Sequence, residues 1–154
     1  MKRVFFMGML AMLSIASFAQ TDKSGERKTQ FNLSKDVAIK GYDPTSYFIG
    51  KPKEGKPSFT ATYMGVTYYF ASAENRDLFK KNPAQYEPQY GGWCAFAMGN
   101  DGSKVEVDPE TYKIANGKLY LFYNKFFTNT LKSWNKDEAH LMKSADANWM
   151  KIYK

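Results

Sequence analysis

Residues 59–88 read FTATYMGVTYYFASAENRDLFKKNPAQYEP, and the reading of this stretch decides the fold. Two β-type runs, Phe59–Tyr63 and Val66–Phe70, flank Met64-Gly65, a pair suited to a tight hairpin turn. A helix should follow at once. Ser72 is placed as its N-cap, Glu74 lies where the helix dipole favours an acid, and Lys80 and Lys81 lie where it favours bases. Asn82-Pro83 stops it, because the residue before a proline is pushed out of the α region. A hairpin and one short helix cannot bury a core alone, so the rest of the chain must complete it.

Working outward, Val37–Ile39 reads as a short strand, and Asp43-Pro44 as a helix start over Pro44–Phe48 with the acid as N-cap. Gly50–Pro57 is a loop rich in Lys, Gly and Pro. After the central unit come Gly91-Gly92, the apolar run Trp93–Met98 and a turn cluster at Gly99–Ser103. Thr111–Ala115 and Lys118–Tyr123 alternate around Asn116-Gly117, the strongest short hairpin signal in the chain. Phe126, Phe127, Thr130, Leu131 and Trp134 recur at helical spacing, with Asn124 as the expected N-cap. Asn135 and Glu138 resemble a capping box that restarts a helix, whose stripe is Met142, Ala145, Trp149 and Ile152. The expected class is α+β: a small antiparallel sheet built from two β-hairpins, covered by several short helices.

The N-terminus predicts export. Lys2 and Arg3 precede the apolar run Val4–Ile15, and Ser17-Phe18-Ala19 supplies a signal-peptidase site before Gln20. Residues 1–19 are therefore read as a signal peptide, which places the protein in the periplasm or outside the cell. The run is too short to span a bilayer comfortably, so no stable membrane insertion is expected after cleavage. Residues 20–36 are polar and charged and are expected to form a mobile tail, leaving 37–154 as one domain. The formal charge of +7 is carried mostly by scattered lysines, and beyond the leader the only arginines are Arg27 and Arg76. No arginine-rich stripe of the kind that grips phosphates is present, which argues against nucleic-acid partners.

The pattern Tyr63-x-Gly65-x-x-Tyr68-Tyr69-Phe70, a helix with a central Phe79, and then Pro83 and Tyr86 resembles the YHS domain. The flanks AIKGYDPTSYF, YGGWCAFA, DPETYKIANGKLYLFYNK and KSADANWMKIY resemble the exported single-domain branch of that family, which includes selenoprotein relatives. The resemblance runs from about Val37 to Tyr153. It implies a YHS-like fold and an association with metal binding. Metal-associated versions carry cysteines before the hairpin and just after Tyr-Tyr-Phe; here those places read GYDP and FASAEN. A four-thiolate zinc site is ruled out by count, since Cys94 is the only cysteine.

Cys94 has two readings. It is a small buried hydrophobe between Trp93 and Phe96, or it is a reactive thiol or metal ligand beside Gly91-Gly92, at the start of a helix in a partly accessible pocket. With Met98 one helical turn on, and His140, it would make a soft donor set suited to Cu(I). Against this stand a core role for Met98 and a solvated His140. Asp101, Glu106 and Asp108 fit no calcium loop and read as a surface turn, and Asp43 reads as a cap. No Ser-His-Asp spacing, phosphate loop or paired helical histidines occur, so the balance leans away from an enzyme. Three functions stay open: an exported binding module holding a soft metal or small ligand near Cys94, a thiol-dependent redox protein using Cys94, or an interaction module contacting another envelope protein through exposed tyrosines.

Overall fold

The structure is a computed structural model and describes residues 23–154; the expected signal peptide and the first residues of the expected tail lie outside them. The elements, in chain order, are helix α1 (Ser24–Gln30), strands β1 (Leu33–Ser34) and β2 (Val37–Ala38), helix α2 (Ser46–Ile49), the hairpin β3 (Lys56–Tyr63) and β4 (Val66–Phe70), and helices α3 (Ala73–Lys81), α4 (Pro83–Tyr86) and α5 (Ala95–Asn100). Then come the hairpin β5 (Asp108–Ala115) and β6 (Lys118–Phe122), the hairpin β7 (Asn124–Lys125) and β8 (Thr128–Asn129), and helices α6 (Thr130–Trp134) and α7 (Glu138–Ile152). The class is α+β.

The strands form three small sheets. The first has the order β1-β2-β4-β3, and the other two are the hairpins β5-β6 and β7-β8. One pairing is parallel, β2 against β4 at Val37 and Thr67, so the expectation of a purely antiparallel sheet needs that correction. Short-range chemistry explains the hairpins. Met64 and Gly65 have φ of 45° and 82°, and Asn116 and Gly117 have 51° and 70°, so both turns take left-handed backbone at both central residues. Ser72 caps α3 as read, its side chain accepting the Asn75 N–H at 3.2 Å.

Strand β6 divides the interior. Leu119 and Leu121 point into one core with Val66, Tyr68, Phe70 and Phe79, while Tyr120 and Phe122 point into a second with Met98, Trp134, Leu141 and Ala145. Alternating side chains on a strand buried on both faces give this arrangement directly. Each fully buried Leu or Phe contributes roughly 1.5–3 kcal/mol by removal from water, which is how such short elements persist.

Three expectations need correction. First, residues 23–36 do not hang free. They form α1, β1 and the turn that leads into β2, and Arg27 is only 5% exposed. Second, the helix expected from Phe126 begins at Thr130, with Asn129 as N-cap, its side-chain oxygen accepting the Leu131 N–H at 3.0 Å. Asn124 instead donates to Thr111 Oγ1 at 2.9 Å, inside β7. Third, Asn135 and Glu138 form no capping box. Both accept from Lys113 Nζ at 2.8 Å, and Glu138 also accepts from Trp134 Nε1 at 3.1 Å.

Asp43 also exceeds its expected role. It is fully buried, and α2 starts three residues after it. One carboxylate oxygen accepts the Thr45 N–H and hydroxyl, at 2.8 and 2.6 Å. The other accepts the Ala71 N–H at 2.9 Å and Asn75 Nδ2 at 2.6 Å. Four donors match the acceptor capacity of a carboxylate, which is what makes its burial tolerable. The result ties the α2 loop to the start of α3.

Candidate functional site

The feature with the most chemical content lies where α1, the segment after α4 and α7 meet. Helix α1 brings Arg27 inward, and its Nη2 forms an ion pair with Glu87 Oε1. The Tyr68 hydroxyl, from the buried face of β4, donates to the same oxygen. The Arg27 guanidinium carbon lies 4.3 Å from the centre of the Phe31 ring and 5.3 Å from that of Tyr63, within cation–π range of both. Burial pushes the Glu87 carboxyl above its usual range, outweighing the Tyr68 and Arg27 contacts. Tyr68 is pushed well up by burial and by the Glu87 charge. Burial opposes the Arg27 charge, but Glu87 and Tyr68 hold it above its ordinary value.

One donor is left over. Arg27 Nε is buried and has no hydrogen-bond partner. A buried unpaired donor costs about 1–3 kcal/mol, and Arg27 is among the residues lining a cavity of about 450 Å³. Phe31, Tyr90, Trp149 and Tyr153 supply much of the lining, with Lys118 and Asp146 adding charge. The Tyr90 hydroxyl donates to Asp146 Oδ1 at 2.9 Å.

Tyr90 and Gly91, from the Tyr90–Gly92 turn, also line the cavity. Tyr90 and Gly91 have φ of 56° and 60°. A Cβ at Gly91 would stand 2.8 Å from the Trp149 ring and 2.9 Å from the Phe31 ring, so only glycine lets these two aromatics close over the backbone. Asn32 fastens the turn to the N-terminal segment. Its N–H donates to the Gly91 carbonyl at 2.9 Å and its Nδ2 to the Gly92 carbonyl at 3.1 Å.

The residues singled out from sequence lie elsewhere. Cys94 is fully buried rather than in an accessible pocket. The turn at Gly92 carries it under β6 and α6, where its Sγ accepts the Tyr123 N–H at 3.4 Å and lies 3.3 Å from Thr130 Oγ1. Met98 is one turn on and equally buried, but it packs in the second core cluster while Cys94 packs in the first. His140 stands in solvent, its side chain 71% exposed, with Nδ1 3.4 Å from Asp137 Oδ2. The three do not converge, and among the described residues no group of three or more His, Cys, Asp or Glu is placed to hold a metal. A soft-metal site there has no geometric support, and a thiol closed off from solvent gives a redox role no entry path. Of the tyrosines read as an interaction face, Tyr47, Tyr68, Tyr90 and Tyr120 are core residues and the other seven are half-buried.

Sequence reasoning missed Arg27 and Glu87. The available signal was compositional: in a lysine-rich chain, an arginine is the residue suited to a buried, stacked ion pair. Trp149 was visible, but as core.

Residues 50–90 match the family model of the YHS domain. No curated protein and no solved structure matches the chain. The matched stretch contains Tyr68, Glu87 and Tyr90, whereas Arg27, Phe31 and Trp149 come from outside it.

Proposed function

We propose that this chain, whose residues 50–90 form a YHS domain, is a binding module that holds a small organic ligand in the Arg27 cavity and works outside the cytoplasm. The observation that carries the reading is a cavity walled by aromatic rings with Arg27 in its lining, whose Nε is buried without a partner. Its size falls in the range of small-molecule sites, about 300–1,000 Å³. The aromatic walls suit a flat apolar body, and the cationic residues Arg27 and Lys118 in the lining suit a carboxylate oxygen. An aromatic carboxylate has both features. Binding is favoured over catalysis because Arg27, Glu87 and Tyr68 are engaged with one another and Tyr90 with Asp146.

Titration calorimetry of the full-length protein with phenylacetate, 4-hydroxybenzoate and indole-3-acetate tests this. At least one should bind saturably, and Trp149→Leu, which leaves the ion pair in place, should weaken it at least about tenfold through lost ring contact. No heat with any of the three, or undiminished binding to the variant, would overturn the reading.

A further inference from the structure

The hairpin β7-β8 carries a second feature that the cavity does not use. Its two-residue turn is Phe126-Phe127, with φ of 50° and 63°. These rings are the most exposed large apolar side chains among the described residues, at 85% and 112%. Phenylalanine is a poor occupant of left-handed backbone, where glycine or asparagine is the ordinary choice. Two in succession, both in water, are costly twice over, by backbone strain and by exposed apolar area. Such strain persists where the surrounding structure enforces it and collects at functional positions.

The base of the hairpin is firmly held. The Thr130 N–H and hydroxyl both donate to the Tyr123 carbonyl at 3.0 Å, and Asn124 Nδ2 donates to Thr111 Oγ1. The rings therefore stand at the end of a short rigid stalk.

We infer that this tip docks on a phospholipid bilayer, placing Phe126 and Phe127 at the headgroup–acyl boundary. Area favours this occupant over a protein. Two phenylalanines bury about 150–250 Å² each, well short of the roughly 800 Å² per partner of a stable protein interface. A convex two-ring point suits a soft surface better than a preformed groove, and aromatic rings are favoured at the bilayer interface. Charge agrees. Lys125 in β7 and Lys132 in α6, the helix that follows β8 directly, are both exposed, whereas Lys113 is paired with Glu138 and Lys118 lines the cavity. Glu110, exposed on the strand next to β7, partly offsets them, so insertion of the rings carries more of the contact than charge does. The contact is peripheral, since among the described residues no helix is long and apolar enough to cross a membrane.

The test uses the full chain with Thr128→Cys labelled by an environment-sensitive NBD group; Cys94 is buried and stays unlabelled in the native protein. Mixed phosphatidylcholine–phosphatidylglycerol vesicles should raise and blue-shift the NBD emission, and spin-labelled lipid should quench it. Phe126→Ser with Phe127→Ser in the same background should reduce the apparent vesicle affinity read at the label by roughly tenfold or more, the scale of two lost interfacial rings. Pure phosphatidylcholine should bind more weakly, and added salt should narrow that difference. An emission unchanged by vesicles overturns the inference, even if the protein sediments with them through another segment. So does a response that survives the double substitution, or Phe126-dependent dimerisation without a vesicle response, which would make the occupant a second copy.

Discussion

Four two-residue hairpins turn on left-handed backbone among the described residues, and three of them, apart from Lys35-Asp36 between β1 and β2, are built from opposite chemistries. Met64-Gly65 and Asn116-Gly117 place glycine at the second turn position, whereas Phe126-Phe127 places two bulky rings in the same left-handed region. The first two turns are solved by the backbone's own preference. The third holds its shape against that preference, clamped by Tyr123, Thr130 and Asn124 at its base. The difference teaches that turn geometry alone does not explain a turn's residues. Where the chain departs from the cheap choice, the side chains are there for something outside the turn.

Substitutions separate strain from contact. Gly65→Val should have the largest effect, because the position combines a φ of +82° with a Cβ that would stand 2.7 Å from Ser24 Cβ and 2.8 Å from the Ser24 carbonyl oxygen. Strain and overpacking together should cost on the order of 3–5 kcal/mol, visible as a lower urea midpoint and loosened protection of α1 amides. Gly117→Val meets only Gln85 Nε2, at 3.8 Å. Strain alone then applies, about 1–3 kcal/mol, and an unchanged midpoint would mean the turn relaxes freely. The smallest effect has the opposite sign. Phe126→Asn with Phe127→Gly should raise stability by about 1–2 kcal/mol, because it relieves left-handed strain. A thermal melt showing destabilisation would mean that the rings pack on the protein and that the two kinds of turn are alike after all.

Legibility in the sequence follows the range of the forces. Asn116-Gly117 and the Ser72 cap were readable because their reasons lie within four residues. The segment from Phe126 to Trp134 misled because its spacing of three and four fits a helix, and spacing cannot reveal that the first two members sit in a turn. The tail misled for a different reason. Arg27 looks like solvated charge until Glu87, sixty positions away, is brought beside it. The cavity was illegible for the same reason, since its walls come from α1, the turn at Tyr90 and α7. For Cys94 the reading as a small buried hydrophobe matches its placement, but its isolation does not say which side of β6 it occupies.

That placement gives the molecule a clock. A thiol sealed at 0% exposure between β6 and α6 meets an aqueous reagent only when the surrounding elements part. The unaltered chain therefore carries a single, native reporter of its own opening. When reclosing outpaces reaction, the modification rate reads the open fraction directly. Loosening of α1 alone would leave the rate unchanged, whereas parting of β6 from α6 would raise it, so one residue distinguishes fraying at the periphery from failure at the centre.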